Sequence, residues 1–151
     1  MAQKIVLIDD DRFFGYSMLE YARDEGLDLE YYESLSDLGF LGGLGRFKVA
    51  IVDFHLSEMT GLEIAEYLDR LFGDIPMVLI SSDGDAANQP RPSCVHRFVH
   101  KSDGLERIAS AVRELLTETA AREGSGPAAA RGASLRLVRR PRLESQRQLF
   151  F

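Results

Sequence analysis

Side chains that could perform chemistry follow four short apolar runs in this sequence. Asp9 and Asp10 come directly after one run, Asp53 after the second, Ser81 after the third and Lys101 after the fourth. A carboxylate can act as a nucleophile, further carboxylates can bind a cation, and a hydroxyl and an ammonium can contact anionic oxygens. These residue types together are typical of a site that transfers a phosphoryl group.

The apolar runs have the length and the β-branched content of buried strands. Strands are predicted over residues 4–8, 27–32, 49–52, 76–80 and 95–100. The second of these alternates apolar and acidic residues, which favours a position near a sheet edge. Amphipathic segments lie between the strands, so four or five helices are expected on both faces of a parallel α/β sheet.

The helical segments differ in strength. One face of the first carries Phe14, Met18, Tyr21 and Ala22, and neighbouring Phe13 and Tyr16 are also expected to pack. Strong helices are predicted over residues 60–72 and 103–121. Four glycines weaken the helix predicted over 34–45, and Pro90 and Pro92 leave the fourth helix about two turns at most.

The carboxyl ends of parallel strands share one edge of the sheet, where ligands bind. Two carboxylates about 4 Å apart repel by roughly 4 kcal/mol at an effective dielectric constant near 20. Asp9, Asp10 and Asp53 therefore need a cation or raised pKa values. Oxygen ligands of this kind favour Mg²⁺, which also bridges to phosphate. The expected chemistry is phosphoryl transfer onto Asp53, with Lys101 supplying a positive charge and Ser81 a hydroxyl donor.

Composition limits the other possibilities. The sequence has 151 residues, 45% of them hydrophobic, and a net charge of −6. Residues 1–118 carry 11 basic and 22 acidic residues, a balance of −11, whereas residues 119–151 carry 7 and 2, a balance of +5. An acidic body makes general nucleic-acid binding unlikely. No membrane-spanning run or signal peptide is predicted, and the single cysteine, Cys94, fits a reducing cytoplasm.

Taken in order, these motifs closely resemble those of the receiver domains of bacterial two-component response regulators, the CheY-like domains. The resemblance covers about residues 3–118. It rests on the paired acids Asp9 and Asp10, on Asp53 with its turn 59–61, and on Ser81 and Lys101. It implies a doubly wound five-stranded parallel sheet of the flavodoxin-like type, in the order 2-1-3-4-5, with a shortened fourth helix.

The resemblance also implies roles for individual residues. Asp53 would accept a phosphoryl group from a histidine kinase or a phosphorelay protein. Asp10, Asp53 and the backbone carbonyl of His55 would bind Mg²⁺, with Asp9 acting mainly through water. Ser81 and Phe98 would form the switch that changes the binding of an output protein, whose identity stays open. A homodimer is compatible with this interpretation.

Two positions depart from the family pattern. Ser57 replaces a common proline, and Ser102 replaces the residue that usually forms a cis-proline bond after the lysine, so a trans Lys101–Ser102 bond could shift Lys101. The predicted domains are residues 1–121, the receiver, and residues 122–151, a basic low-complexity linker and tail without a folded effector.

Three alternatives remain open. A degenerate receiver would act as an interaction module without phosphorylation. A haloacid-dehalogenase-like phosphatase would use Asp9 as nucleophile and Asp11 as acid/base, although Phe13 and the short chain do not suit that class. A DNA-binding regulator would depend on phosphate contacts from the arginines of the tail. In the leading interpretation the protein is a switch and not an enzyme, with slow self-dephosphorylation at most.

Overall fold

Five parallel strands form the sheet of this protein. The structure is a computed structural model that describes residues 3–38, 47–56, 59–72 and 75–125. The strands are β1 (Lys4–Ile8), β2 (Asp28–Tyr32), β3 (Phe47–Asp53), β4 (Met77–Ser81) and β5 (Val95–His100). They pair in parallel in the order β2-β1-β3-β4-β5. This confirms the flavodoxin-like sheet and the edge position of the second strand.

Helices are fewer than the sequence led us to expect. The described residues contain three α-helices, α1 (Arg12–Asp24), α2 (Gly61–Phe72) and α3 (Leu105–Ser125). Three of the four or five predicted helices are therefore confirmed, and most of the one predicted over residues 34–45 lies outside the described residues. Short 3-10 segments take the remaining places, at Ser36–Leu38, Gly84–Asn88 and Lys101–Asp103.

The fourth connection is short, as predicted, but it forms a five-residue 3-10 segment and no α-turns. Prolines 90 and 92 explain this, because each excludes an intrahelical hydrogen bond and disfavours helical geometry in the residue before it. The weak second helix is described only at Ser36–Leu38, so the glycines at 39, 42, 43 and 45 lie outside the described residues. Ser57 and residues 126–151 also lie outside them.

Alternation along the strands divides the core into two layers. In β1, Ile5 and Leu7 point to the face covered by α1 and α3, and Val6 and Ile8 point to the face covered by α2. All four are almost fully buried. A strand buried on both faces must be apolar throughout, which is why the run reads as continuous instead of alternating.

The last helix continues past the end predicted for it. α3 reaches Ser125 rather than Ala121, and its buried stripe includes Ile108, Val112 and Leu115. The chain divides into two compact units, Met1–Leu116 and Thr117–Phe151. No helix in the described part of the chain combines the length and the apolar character needed to cross a bilayer.

Candidate functional site

The ends of four strands bring the predicted site residues to one edge of the sheet. Asp53 is the last residue of β3 and Ser81 the last of β4, and Asp9 and Lys101 directly follow β1 and β5. In the sheet β3 lies between β1 and β4, and Asp53 pairs with Ile80, one residue before Ser81. The parallel arrangement therefore places the side chains of distant sequence segments around one cleft.

Lys101 connects the two buried carboxylates of this cleft. Its ammonium nitrogen lies 2.8 Å from Asp9 Oδ2 and 3.6 Å from Asp53 Oδ1. Asp9 is fully buried and Asp53 is 4% exposed. The described chain contains no cis peptide bond, so the Lys101–Ser102 bond is trans, and the lysine still reaches both acids.

Burial raises the pKa of both carboxylates. The pKa of Asp53 rises to about 7, first because burial disfavours the charged form and second because the charge of Asp9 is close. Lys101 opposes both effects. The pKa of Asp9 is also raised by burial, against the hydrogen bond from Lys101. Burial alone would lower the pKa of Lys101, but its contacts with Asp9 and Asp53 raise it.

Asp10 completes a group of acids that could hold a cation. One oxygen each from Asp9, Asp10 and Asp53 lies within 4.8 Å of the others, and Asp10 is the exposed member. Asp11 has a different function, because its side chain accepts a hydrogen bond from the Phe14 amide and caps α1. Three carboxylates at this separation fit a hard divalent cation such as Mg²⁺.

The turn after Asp53 needs a glycine. A Cβ atom on Gly61 would overlap with the backbone oxygen of Asp53 and lie 2.8 Å from Phe54 Cα. The Gly61 amide donates to the Phe54 carbonyl at 2.6 Å. Thr60 and Glu63 then start α2 with reciprocal hydrogen bonds at 3.2 Å, a capping box. The start of α2 is thereby held against the strand end that carries Asp53.

The two predicted switch residues lie on neighbouring strands. Ser81 is fully buried, and its hydroxyl accepts a hydrogen bond from the Asp83 amide at 2.9 Å. Phe98 is half-buried on β5, packs against the core on the α2 face and meets the His100 ring edge-on at 5.1 Å. At the mouth of the cleft, His55 Nε2 lies 3.2 Å from Asp83 Oδ2.

One face of α1 differs from the sequence prediction. Phe13 is 84% exposed, so the expectation that it is a packing residue was wrong. Tyr16 is 59% exposed, but its ring packs edge-on against Tyr31. The helix buries Gly15, Met18 and Ala22, a spacing of three and four residues that turns positions 13 and 16 outward.

The contacts of two residues near the site, Phe14 and Tyr31, were missed. The Lys101 ammonium lies 4.6 Å from the centre of the Phe14 ring, a cation–π contact. Tyr31 donates its hydroxyl to the Asp9 carbonyl oxygen at 2.8 Å. Burial and the charge of Asp9 raise the pKa of Tyr31 to about 12, so this hydroxyl stays protonated. Gly15, in the middle of a predicted helix, was the one available signal, since such a glycine often marks a close contact.

Comparisons with known proteins agree with the family resemblance that the sequence motifs indicate. No protein-family model matches the chain. It is 33% identical over 86 residues to the response regulator protein TodT of Pseudomonas putida, a match that covers 56% of this chain and 37% of TodT. The fold resembles the Thermotoga maritima response regulator protein TrrA, solved in complex with Mg²⁺ and a beryllium fluoride, with a TM-score of 0.67, 20% identity and coverage of 76% and 99%.

A further structure extends the likeness. The signal receiver domain of an HD domain-containing protein from Pseudomonas fluorescens Pf-5 aligns with a TM-score of 0.72 at 15% identity, over 83% of this chain and 94% of that one. The chain is therefore similar in sequence to response regulators and has the fold of their receiver domains. The resemblance stated from the sequence is thereby confirmed. The chain spans little more than a third of the length of the curated relatives that it matches.

Proposed function

We propose that this receiver domain is a phosphorylation-dependent signalling switch in which Asp53 accepts the phosphoryl group. One observation carries the proposal. The Asp53 carboxylate lies at the end of β3 between Lys101, at 3.6 Å, and the acids Asp9 and Asp10, whose oxygens are within 4.8 Å. A nucleophile, a positive charge and a set of cation ligands therefore share one cleft.

The transfer would form one bond and break another. An oxygen of the Asp53 carboxylate would attack phosphorus as the bond from phosphorus to the donor breaks, and the donor group would leave with the electron pair. From a phosphohistidine this is a P–N bond, and the imidazole leaves as a neutral ring when its other nitrogen carries a proton. Lys101 would balance the negative charge at the phosphoryl oxygens, and Ser81 would donate its hydroxyl to one of them.

The donor set fits Mg²⁺. Asp53 has a pKa of about 7 because it is buried beside another carboxylate, and Asp10 is exposed to solvent at the same cleft. Such a group of acids is stable in its charged form when a divalent cation binds it. Asp10 and Asp53, together with the His55 carbonyl, would hold the ion, which supplies charge neutralisation for the transfer. Asp9 is already engaged by Lys101 and would act through water.

The response would pass from Ser81 to Phe98. The hydroxyl of Ser81 currently accepts a hydrogen bond from Asp83 and would be drawn to the phosphoryl oxygen. Phe98 lies on the adjacent strand, where Leu79 pairs with it, and would fill the space that Ser81 leaves. A shift of a few kcal/mol between two conformations is sufficient to change partner binding.

The donor would be a histidine kinase or a phosphorelay protein in the cytoplasm, and the output partner a protein. In this role the domain is a switch and performs at most slow self-dephosphorylation. The phosphatase alternative needs an accessible Asp9 and a free Asp11. Asp9 is fully buried and Asp11 caps α1, which favours the switch.

Incubation with acetyl phosphate and Mg²⁺, followed by intact-mass measurement, tests the proposal. The native chain should gain the mass of one phosphoryl group, and Asp53→Asn should gain none. Asp103→Asn is the matched control, because Asp103 is an exposed acid in the segment that follows Lys101, and it should gain the group as the native chain does. The absence of a gain in the native chain would contradict the assignment and favour the degenerate receiver. An equal gain in Asp53→Asn would contradict it by placing the phosphoryl group on another residue.

A further inference from the structure

The acidic loop after β1 is held by the last two residues of the neighbouring edge strand. The Asp9 amide donates to the Tyr32 carbonyl at 3.1 Å, and the Asp9 carbonyl accepts from the Tyr31 hydroxyl at 2.8 Å. The Asp11 amide donates to Asp9 Oδ1 at 2.9 Å. Both backbone polar groups of Asp9 are therefore hydrogen-bonded to β2, and the Asp9 side chain in turn holds the amide of Asp11.

The hydrogen bond from Tyr31 to Asp9 also affects the next residue, Asp10. The Asp9 carbonyl belongs to the peptide group that joins Asp9 to Asp10. Because a peptide group is planar, the hydroxyl of Tyr31 sets the direction in which the chain enters Asp10. Asp10 is the exposed acid of the cation-binding group.

The Tyr31 ring is in turn held by α1. A Cβ atom on Gly15 would overlap with the ring, so the ring occupies the space that any other residue at position 15 would fill. Tyr16 meets the same ring edge-on, with centroids 5.5 Å apart and planes at 75°. Glycine inside a helix is less stable than alanine by about 1 kcal/mol, and the close approach of Tyr31 gives a reason for it here.

We propose that Tyr31, seated on Gly15, is a positioning residue that orients the Asp9–Asp10 peptide group, and through it the Asp10 carboxylate, for binding of the divalent cation. The inference rests on the proposed function for its metal. Tyr31 touches neither the metal nor the phosphoryl group, and its effect is on affinity for the cation rather than on the transfer step.

The test compares Tyr31→Phe with Tyr32→Phe. The first variant keeps the ring on Gly15 and removes only the hydroxyl. The second removes the hydroxyl of the next residue on the same strand, which donates to Glu30 at 2.8 Å. Binding of Mn²⁺, followed by electron paramagnetic resonance of the free ion, and competition by Mg²⁺ give the affinities. Amide exchange at Asp10 and Asp11 is measured on the metal-free proteins.

Tyr31→Phe should bind the cation about three- to tenfold more weakly, the range that the net contribution of one hydrogen bond gives. Its Asp10 and Asp11 amides should exchange faster, and Tyr32→Phe should match the native chain in both measurements. At saturating Mg²⁺ the initial rate of phosphorylation should return to the native value. A general loss of structure would lower that rate at every Mg²⁺ concentration.

Native affinity and native amide exchange in Tyr31→Phe would overturn the inference and leave the proposed function intact. A native chain that binds no cation would instead refute the magnesium part of the proposed function, and the amide exchange would still decide whether Tyr31 holds the loop. Gly15→Ala is the second variant, because its methyl group would displace the ring without changing the hydroxyl. It should weaken cation binding in the same direction, and native affinity in Gly15→Ala would also overturn the inference.

Discussion

Removal of the Asp53 charge should stabilise the metal-free domain at neutral and alkaline pH. The pKa of Asp53 is about 7 in the folded protein against an ordinary value of 3.8. A carboxyl group with a raised pKa binds its proton more tightly in the folded state. The contribution of this group to the free energy of unfolding is therefore largest below pH 4, and it is lost as the pH rises through 7.

The size of the effect follows from the shift. A difference of about 3 pKa units at about 1.36 kcal/mol each gives about 4 kcal/mol between the protonated and the ionised limits. Asparagine has a similar shape and no charge, but it also removes the partner of Lys101 at 3.6 Å. Asp53→Asn should therefore be more stable than the native chain by about 2–4 kcal/mol at pH 8, and this advantage should be smaller by about 2–3 kcal/mol at pH 5.

Urea unfolding in the presence of a chelator at pH 5, 6, 7 and 8 measures this difference, because urea leaves the charges unscreened. Asp103→Asn, which removes an exposed acid, should follow the native chain at every pH. Some decline with pH should remain in Asp53→Asn, since the pKa of Asp9 is raised as well. Parallel curves for Asp53→Asn and the native chain from pH 5 to 8 would refute the reasoning.

Magnesium should offset most of the stability advantage of Asp53→Asn at pH 8. Binding to the folded state alone adds about 2.7 kcal/mol at a concentration 100 times the dissociation constant. The native chain should gain this at pH 8, whereas Asp53→Asn, which lacks one ligand, should gain much less. An equal gain in both proteins would place the ion elsewhere.

Three further variants test the surroundings of Asp53. Gly61→Ala should lower the free energy of unfolding by about 1–3 kcal/mol, because the added methyl group overlaps with backbone atoms. Thermal unfolding measures this loss. The control is Gly84→Ala, where the nearest atom would be 3.9 Å from the added methyl group, and it should be neutral or slightly stabilising. Thr60→Ala should destabilise the fold by about 1 kcal/mol through loss of the helix cap, measured by urea unfolding, and an unchanged midpoint would contradict the capping role. Lys101→Met should raise the pKa of Asp53 further and slow its phosphorylation by acetyl phosphate. Carbon-13 NMR of the carboxyl group measures the pKa, and intact mass measures the phosphorylation. An unchanged pKa would contradict the ion pair between Lys101 and Asp53.

Much of the fold could be predicted from the sequence, because the strands and the two strong helices carry local patterns. The run Lys4–Ile8 is apolar on both faces and can only be a buried strand, and Leu62–Leu71 has helical spacing. The positions of Asp9, Asp53, Ser81 and Lys101 directly after such runs predicted that they share one sheet edge. Their exact pairing was not predictable, since Lys101 meets Asp9 more closely than Asp53 only because of the strand order and register.

The predictions about helices that were wrong have local explanations. Two prolines reduced the fourth connection to a 3-10 segment, and the exposed positions of Phe13 and Tyr16 followed from the face on which α1 packs. Hydrophobic type alone does not decide which of two adjacent faces is buried, because a short helix can rotate about its axis until it meets a partner.

Local sequence patterns were sufficient to predict the candidate site residues and the end of the sheet at which they gather, since each of these residues directly follows the apolar run of its own strand. Only the tertiary structure decided which carboxylate is neutralised by Lys101, how far burial raises the pKa of Asp53, and that Tyr31 rests on Gly15 and holds the carbonyl of Asp9. The physical reason is that desolvation and charge pairing are set by neighbours in space, and these neighbours come from strands and helices that are far apart in the sequence.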